Sequence, residues 1–167
     1  MRYLNKIVFI NSAAIRYSEV QLDGNIHLIG TQGVGKSTIL RAILFFYNAD
    51  TQRLGIRVEK KSYQDYYFPY ADSSIIYEVA REDGWFTVLS YKTMNRICYR
   101  FIASPYRPDL FIDEEGAPYP SDRIRSVLDK NGIKYSGAIS TYEEYRNILY
   151  GNSDNKRDYS CYSLMES

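Results

Sequence analysis

The chain has 167 residues, 45% of them hydrophobic and 25% charged, enough to bury one sizeable core in an ordinary globular domain. Lys and Arg number 21 against 20 Asp and Glu, and a net charge of +1 excludes the global basic field that announces a nucleic-acid binder, so any such surface must be local. The longest fully apolar stretch, Ala42 to Tyr47, falls far short of the roughly 20 residues that cross a bilayer. Cys98 and Cys161 form no C-x-x-C or Cys/His cluster and the N-terminus lacks a signal pattern, which points to a reducing, cytoplasmic setting.

In chain order, Lys6 to Ile10 and Ser18 to Leu22 read as short strands, and Asp23-Gly24 turns the chain into a third, Ile26 to Ile29. Residues Gly30 to Ser37 then spell Gly-Thr-Gln-Gly-Val-Gly-Lys-Ser, a complete G-x-x-x-x-G-K-S/T phosphate-binding loop between that strand and a helix-forming stretch. Glycines there let successive backbone N–H groups turn inward around the α- and β-phosphates, and the following helix adds free N–H groups and the positive end of its dipole. Lys36 can follow the β- and γ-phosphates, and the Ser37 hydroxyl can ligate Mg²⁺. A Gly-rich turn that merely joined strand to helix has no need of Lys36 and Ser37. The pattern predicts a nucleotide binder.

Ser37 to Asn48 is apolar on nearly every face, with Arg41 its single charge after Lys36, as expected for a helix buried beneath a sheet. Ala49 to Asp72 is polar and aromatic without clear period, carries Arg53, Arg57, Lys60 and Lys61, and reads as a long surface loop. Ser74 to Ala80, Trp85 to Tyr91 and Ile97 to Ala103 read as an antiparallel meander, its first turn at Asp83-Gly84. Leu110 to Asp113 adds a fourth short strand, completing an arm over 74–113, after which Pro118 and Pro120 prevent further pairing. Ser121 caps a helix through Lys130 that Asn131-Gly132 closes, and a Thr141/Glu144 capping box opens a second helix, Tyr142 to Tyr150, closed by Gly151. Tyr159 to Met165 resumes apolar character. The 18 tyrosines are expected to pack strand faces and rims of an antiparallel sheet rather than to stack on bases.

Hydrolysis in phosphate-loop proteins needs a second carboxylate on Mg²⁺ and a group that orients water. Asp113-Glu114, following Leu110, Phe111 and Ile112, has the form of a hydrophobic strand ending in Asp-Glu. Pro108 and Asp109 interrupt that strand, however, and Glu115-Gly116 reads as a hairpin turn, so the expectation is a solvated turn. Asp113 to Gly116 also fits D-x-x-G, and Asn155 to Asp158 fits N-K-x-D; together with the loop these resemble, in letters, the motif set of small GTPases. Their context differs, because polar residues rather than a buried strand precede N-K-x-D and two strands precede the phosphate loop. The one histidine, His27, lies on the loop strand, and no Ser-Gly-Gly stretch is present. No catalytic residue is assigned: the chain holds what binds a nucleotide and lacks most of what cleaves one.

Two strands, a loop strand, Gly30-Thr31-Gln32-Gly33-Val34-Gly35-Lys36-Ser37-Thr38 and then Ile39-Leu40-Arg41-Ala42-Ile43 resemble the N-terminal lobe of SMC-type ATPase heads, a group that includes RecF-like and MukB-like ATPases. The stretch from Ser74 to Gly151, with Ile76-Tyr77-Glu78-Val79 and Tyr142-Glu143-Glu144-Tyr145, looks most like the condensin-like ATPases of bacterial Wadjet-type plasmid-defence systems. The resemblance implies an α/β fold, a single P-loop NTPase lobe of an ABC-type head, with strands, loop and helix in 1–48, an antiparallel β-sheet arm in 74–113 and two short C-terminal helices in 121–151. It implies half of a head, whose C-terminal lobe, beyond a long coiled coil, carries the signature, the Mg²⁺ and water carboxylates and the switch histidine. Gly30, Thr31, Gln32, Gly33, Val34, Gly35, Lys36, Ser37 and Thr38 are then the ATP-binding residues, with Ser37 on Mg²⁺ and Arg53 or Arg57 at the α-phosphate; Gln32 stands where the family usually has Asn. The implied partners are the C-terminal lobe, a second head in a head-to-head dimer, and DNA in chromosome or plasmid maintenance, repair or plasmid defence. Contact with DNA falls to Lys60 and Lys61 or to Arg123, Arg125, Lys130 and Lys134. Two other readings stay open: a GTPase switch using Lys36, Asp113, Asn155 and Asp158, and a non-catalytic phosphate-loop module whose arm and tyrosine surface bind a partner protein.

Overall fold

Apolar residues occupy both faces of β1 (Tyr3–Ser12), β3 (Ser74–Arg81), β4 (Gly84–Thr93) and β5 (Arg96–Ile102), and a sheet apolar on two faces must be covered on both. With β2 (Ile15–Gln21) at one edge, they form a single antiparallel sheet of order β2-β1-β3-β4-β5 in the computed structural model, which describes residues 2–22, 35–48, 60–152 and 159–165. The register sets Tyr77 opposite Ile7 and Val88, and Ile76 opposite Val8 and Leu89. Ile7, Phe9, Tyr77, Val88, Tyr99 and Phe101 therefore line one face, and Val8, Ile10, Ile76, Leu89, Cys98 and Ile102 the other. The first face is covered by α1 (Lys36–Asn48), α2 (Lys60–Tyr67) and α4 (Tyr142–Leu149), through Ile39, Phe45, Phe46, Tyr63, Tyr67, Tyr145 and Leu149. The second is covered by α3 (Ser121–Lys130), through Ile124 and Leu128, and by Tyr106, Leu110 and Phe111. Along β5 the outer edge is partly sealed by backbone pairing of Tyr99 with Ile139 and of Ser136 N–H with the Phe101 carbonyl.

Helix α1 is tied to α2, β3 and α4 by tyrosine hydroxyls. Tyr67, Tyr77 and Tyr145 donate to the carbonyls of Thr38 (2.8 Å), Ala42 (3.0 Å) and Phe46 (2.6 Å). These carbonyls recur every fourth residue, one turn apart along one face, and those of Thr38 and Ala42 each keep a second lone pair beyond the one their helical N–H uses. Phe46 and Tyr47 belong to the last turn, whose carbonyls have no helical partner, and the Tyr150 hydroxyl donates to Tyr47. Tyr77, Tyr99 and Tyr145 are fully buried, and Tyr99 stacks on Tyr145 at 4.0 Å between ring centroids. The tyrosines expected on strand faces and rims thus extend through the centre of the core.

Asn5, at the register shift between Leu4 and Lys6 in β1, donates to the buried Glu78 carboxylate at 2.9 Å and accepts from the Gln21 amide at 2.9 Å. Tyr106 N–H supplies a second donor to Glu78 at 2.7 Å. The carboxylate is thereby satisfied by neutral N–H groups and ties β1, β2, β3 and the 106 segment together.

Several expected elements are corrected. The strands read as an arm belong to the same sheet as β1, with β3 and β4 in its interior and β5 at its edge, because β3 pairs with β1 as well as with β4. Within the expected surface loop 49–72, the chain forms α2, since Tyr63 and Tyr67, four apart, share a face that packs beneath α1, with Phe68 following into the core. Leu110 to Asp113 is not a strand: Pro108–Leu110 makes a 3-10 turn and Ile112 makes a lone bridge to Pro118. Ser121 begins α3 instead of capping it; extended Pro120 takes the cap position and provides no side-chain bond. Thr141 does cap α4, accepting from Glu144 N–H at 3.2 Å, and Gly132 adopts the left-handed φ of 66° past the end of α3. The expected strand 26–29, with His27, lies outside the described residues. No helix among the described residues is long and apolar enough to cross a membrane.

Candidate functional site

The phosphate-loop motif ends where α1 begins. Gly35 immediately precedes the helix, and Ile39 N–H closes its first turn on the Gly35 carbonyl at 3.2 Å. Lys36 and Ser37 are exposed on that turn, and no acidic side chain accompanies them. Free N–H groups, the positive dipole end and the Lys36 ammonium therefore share one exposed corner, on a turn that carries no carboxylate of its own. Gly30 to Val34, together with Arg53 and Arg57, lie outside the described residues.

Thr38 adds a hydroxyl to this corner. Its Oγ1 lies 3.8 Å from where a Cβ on Gly35 would stand, so it is folded back toward the loop side of the turn. The Tyr66 hydroxyl, from α2, meets that Oγ1 at 3.1 Å. The neighbouring Tyr67 ring stands edge-on to Tyr66 at 4.9 Å, and its hydroxyl donates to the Thr38 carbonyl. Burial pushes the Tyr67 phenol up, with the Arg41 charge opposing, so the hydroxyl keeps its proton and acts as a donor. The corner therefore gathers an ammonium, three hydroxyls (Ser37, Thr38 and Tyr66) and helix-end amides, a donor set suited to phosphate oxygens, with Ser37 a hard oxygen ligand suited to Mg²⁺. The tyrosines of α2 escape a motif search; the one available signal is the i, i+4 spacing of Tyr63 and Tyr67.

Asp113 does not join this corner. Its Oδ1 accepts from Glu115 N–H and Ala117 N–H, both at 2.9 Å, in a turn completed by Gly116 at φ 84°. Phe111 and Ile112, which lead into the turn, pack on the face of the sheet opposite α1. The solvated turn expected from the sequence is what forms. Asp113→Ala should cost about 1 kcal/mol through the lost turn bonds while leaving nucleotide affinity within about twofold, measured by urea unfolding and calorimetric titration. Asn155 and Asp158 lie outside the described residues.

Arg123, Arg125, Lys130 and Lys134 are exposed on α3 and just beyond it, also across the sheet from α1. Asp122 and Asp129 are interspersed among them, and Asp129 accepts from the Tyr135 hydroxyl at 2.7 Å. Lys60 and Lys61 open α2, and their side chains lie outside the described set. Cys98 and Cys161 are free thiols. Among the described residues no group of three or more His, Cys, Asp or Glu side chains gathers at one point.

A family model described as a protein of unknown function, DUF3584, matches residues 11–162, a span that includes the phosphate loop and strands β2 to β5. That family is associated with RecF-, RecN- and SMC-like proteins. No curated protein and no solved structure matches the chain.

Proposed function

The chain belongs to the DUF3584 family, and we propose that it is the ATP-binding N-terminal half of an SMC-like ATPase head, a P-loop lobe acting on DNA in the cytoplasm once joined to its C-terminal lobe. The observation that carries this reading is the coincidence of the motif's last residues, Gly35 to Ser37, with an exposed helix start whose first turn carries no acidic residue. Gly30 to Thr38 hold the phosphates, Lys36 balances the β/γ charge and Ser37 holds Mg²⁺. Mg²⁺ held there would offset the charge of the phosphates. The first turn of α1 carries no carboxylate of its own beside Ser37, and turnover is assigned to the completed head, in which a second head closes on the nucleotide. The place of Asp113 on the opposite face weighs against a self-contained GTPase.

Nucleotide titration of the chain tests this: Mg·ATP binding without hydrolysis is expected, and strong GTP preference or absence of binding overturns it. For DNA, the mixed charges on α3 predict weak duplex binding whose affinity falls at least about tenfold between 50 and 200 mM salt, read by fluorescence anisotropy. Binding indifferent to salt counts against the DNA role.

A further inference from the structure

We propose that Tyr66 is a nucleotide-contacting residue, its hydroxyl and that of Thr38 forming a paired donor to the phosphate chain, so that α2 is a wall of the site. The inference rests on the ATP-binding reading above and extends it to a residue outside the motif.

Each hydroxyl has one proton, and a bond between the two uses only one of them. The Thr38–Tyr66 pair, 3.1 Å apart, therefore always keeps one O–H to donate elsewhere. That remaining donor sits on the loop side of the first turn, where Thr38 Oγ1 folds toward Gly35, on the turn that exposes Lys36 and Ser37. An anionic oxygen is the acceptor such a corner is built for. Tyr66 is also placed to serve it. It is 47% exposed, while the next residue, Tyr67, is 1% exposed, and its buried ring fixes the backbone from which Tyr66 projects. The edge-on contact with Tyr67 then orients the Tyr66 ring without covering its hydroxyl. A tyrosine serving only to pack α2 against α1 would turn its ring inward, as Tyr63 and Tyr67 do.

The test compares the 167-residue chain with Tyr66→Phe and Tyr67→Phe by Mg·ATP calorimetry and by unfolding without nucleotide. Tyr66→Phe keeps the ring and removes the donor; affinity should fall about tenfold with the unfolding midpoint unchanged. Tyr67→Phe removes a hydroxyl that faces a helix carbonyl, so the midpoint should fall while affinity stays within about twofold. Unchanged affinity in Tyr66→Phe, alongside ATP binding by the parent chain that Lys36→Ala removes, overturns the role of Tyr66 and leaves the ATP-binding reading standing. Equal affinity losses in the two variants mark α2 as structural support and also overturn it. A parent chain that does not bind Mg·ATP sinks both.

Discussion

Replacing Lys36 with Ala is expected to weaken Mg·ATP binding by at least about 100-fold, about 3 kcal/mol, because a charge-assisted contact to the β- and γ-phosphates is lost in a site that has no other described cation at the first turn. The same change should leave the fold untouched. Lys36 is exposed at the first position of α1, and Ala is the best helix former, so the unfolding midpoint without nucleotide should match the parent chain. Calorimetric titration reads the affinity, and urea unfolding the stability. A variant that binds as the parent does shows that the phosphates lie elsewhere.

The largest expected loss of stability comes from Tyr145→Ala. Tyr145 is fully buried, stacks on Tyr99 at 4.0 Å and on Phe101 at 5.7 Å, and donates to the Phe46 carbonyl in the last turn of α1. Truncation opens an aromatic-sized cavity between α4, α1 and β5 and leaves that carbonyl without its partner, for a cost of about 4 kcal/mol. Tyr145→Phe keeps the ring and removes only the bond, at about 1 kcal/mol. Urea unfolding of the two variants separates the terms; equal costs would contradict the account, since they would mean that ring packing contributes nothing beyond the hydroxyl.

Much of the secondary structure was legible because its signals are local. Runs of β-type residues located the middle of β1 and most of β3, β4 and β5, and the Asn131-Gly132 stop marked the end of α3 at Lys130. What escaped depends on contacts distant in sequence. Pairing of β1 with β3 joins residues separated by the whole phosphate-loop region, and nothing in either strand names its neighbour. Helix α2 is short and polar apart from its tyrosines, so it is stabilised by burying Tyr63 and Tyr67 beneath α1 rather than by propensity. The same holds for the candidate site. Lys36 and Ser37 announce themselves by motif, whereas Tyr66 reaches Thr38 only because α2 folds back on α1. The abundance of tyrosine was visible, but the use of their hydroxyls on the carbonyls of Thr38, Ala42, Phe46 and Tyr47 is a property of the packed core.

The central claim is that the start of α1 holds a nucleotide's phosphates. Backbone amide NMR of the labelled chain, titrated with Mg·ATP, tests it residue by residue. The account predicts the largest shift changes at the amides of Gly35, Lys36, Ser37 and Thr38, with a smaller set at Tyr66 and Tyr67, all absent in Lys36→Ala. Shifts centred on α3 or on the Asp113 turn, or a spectrum that Mg·ATP leaves unchanged, would contradict it.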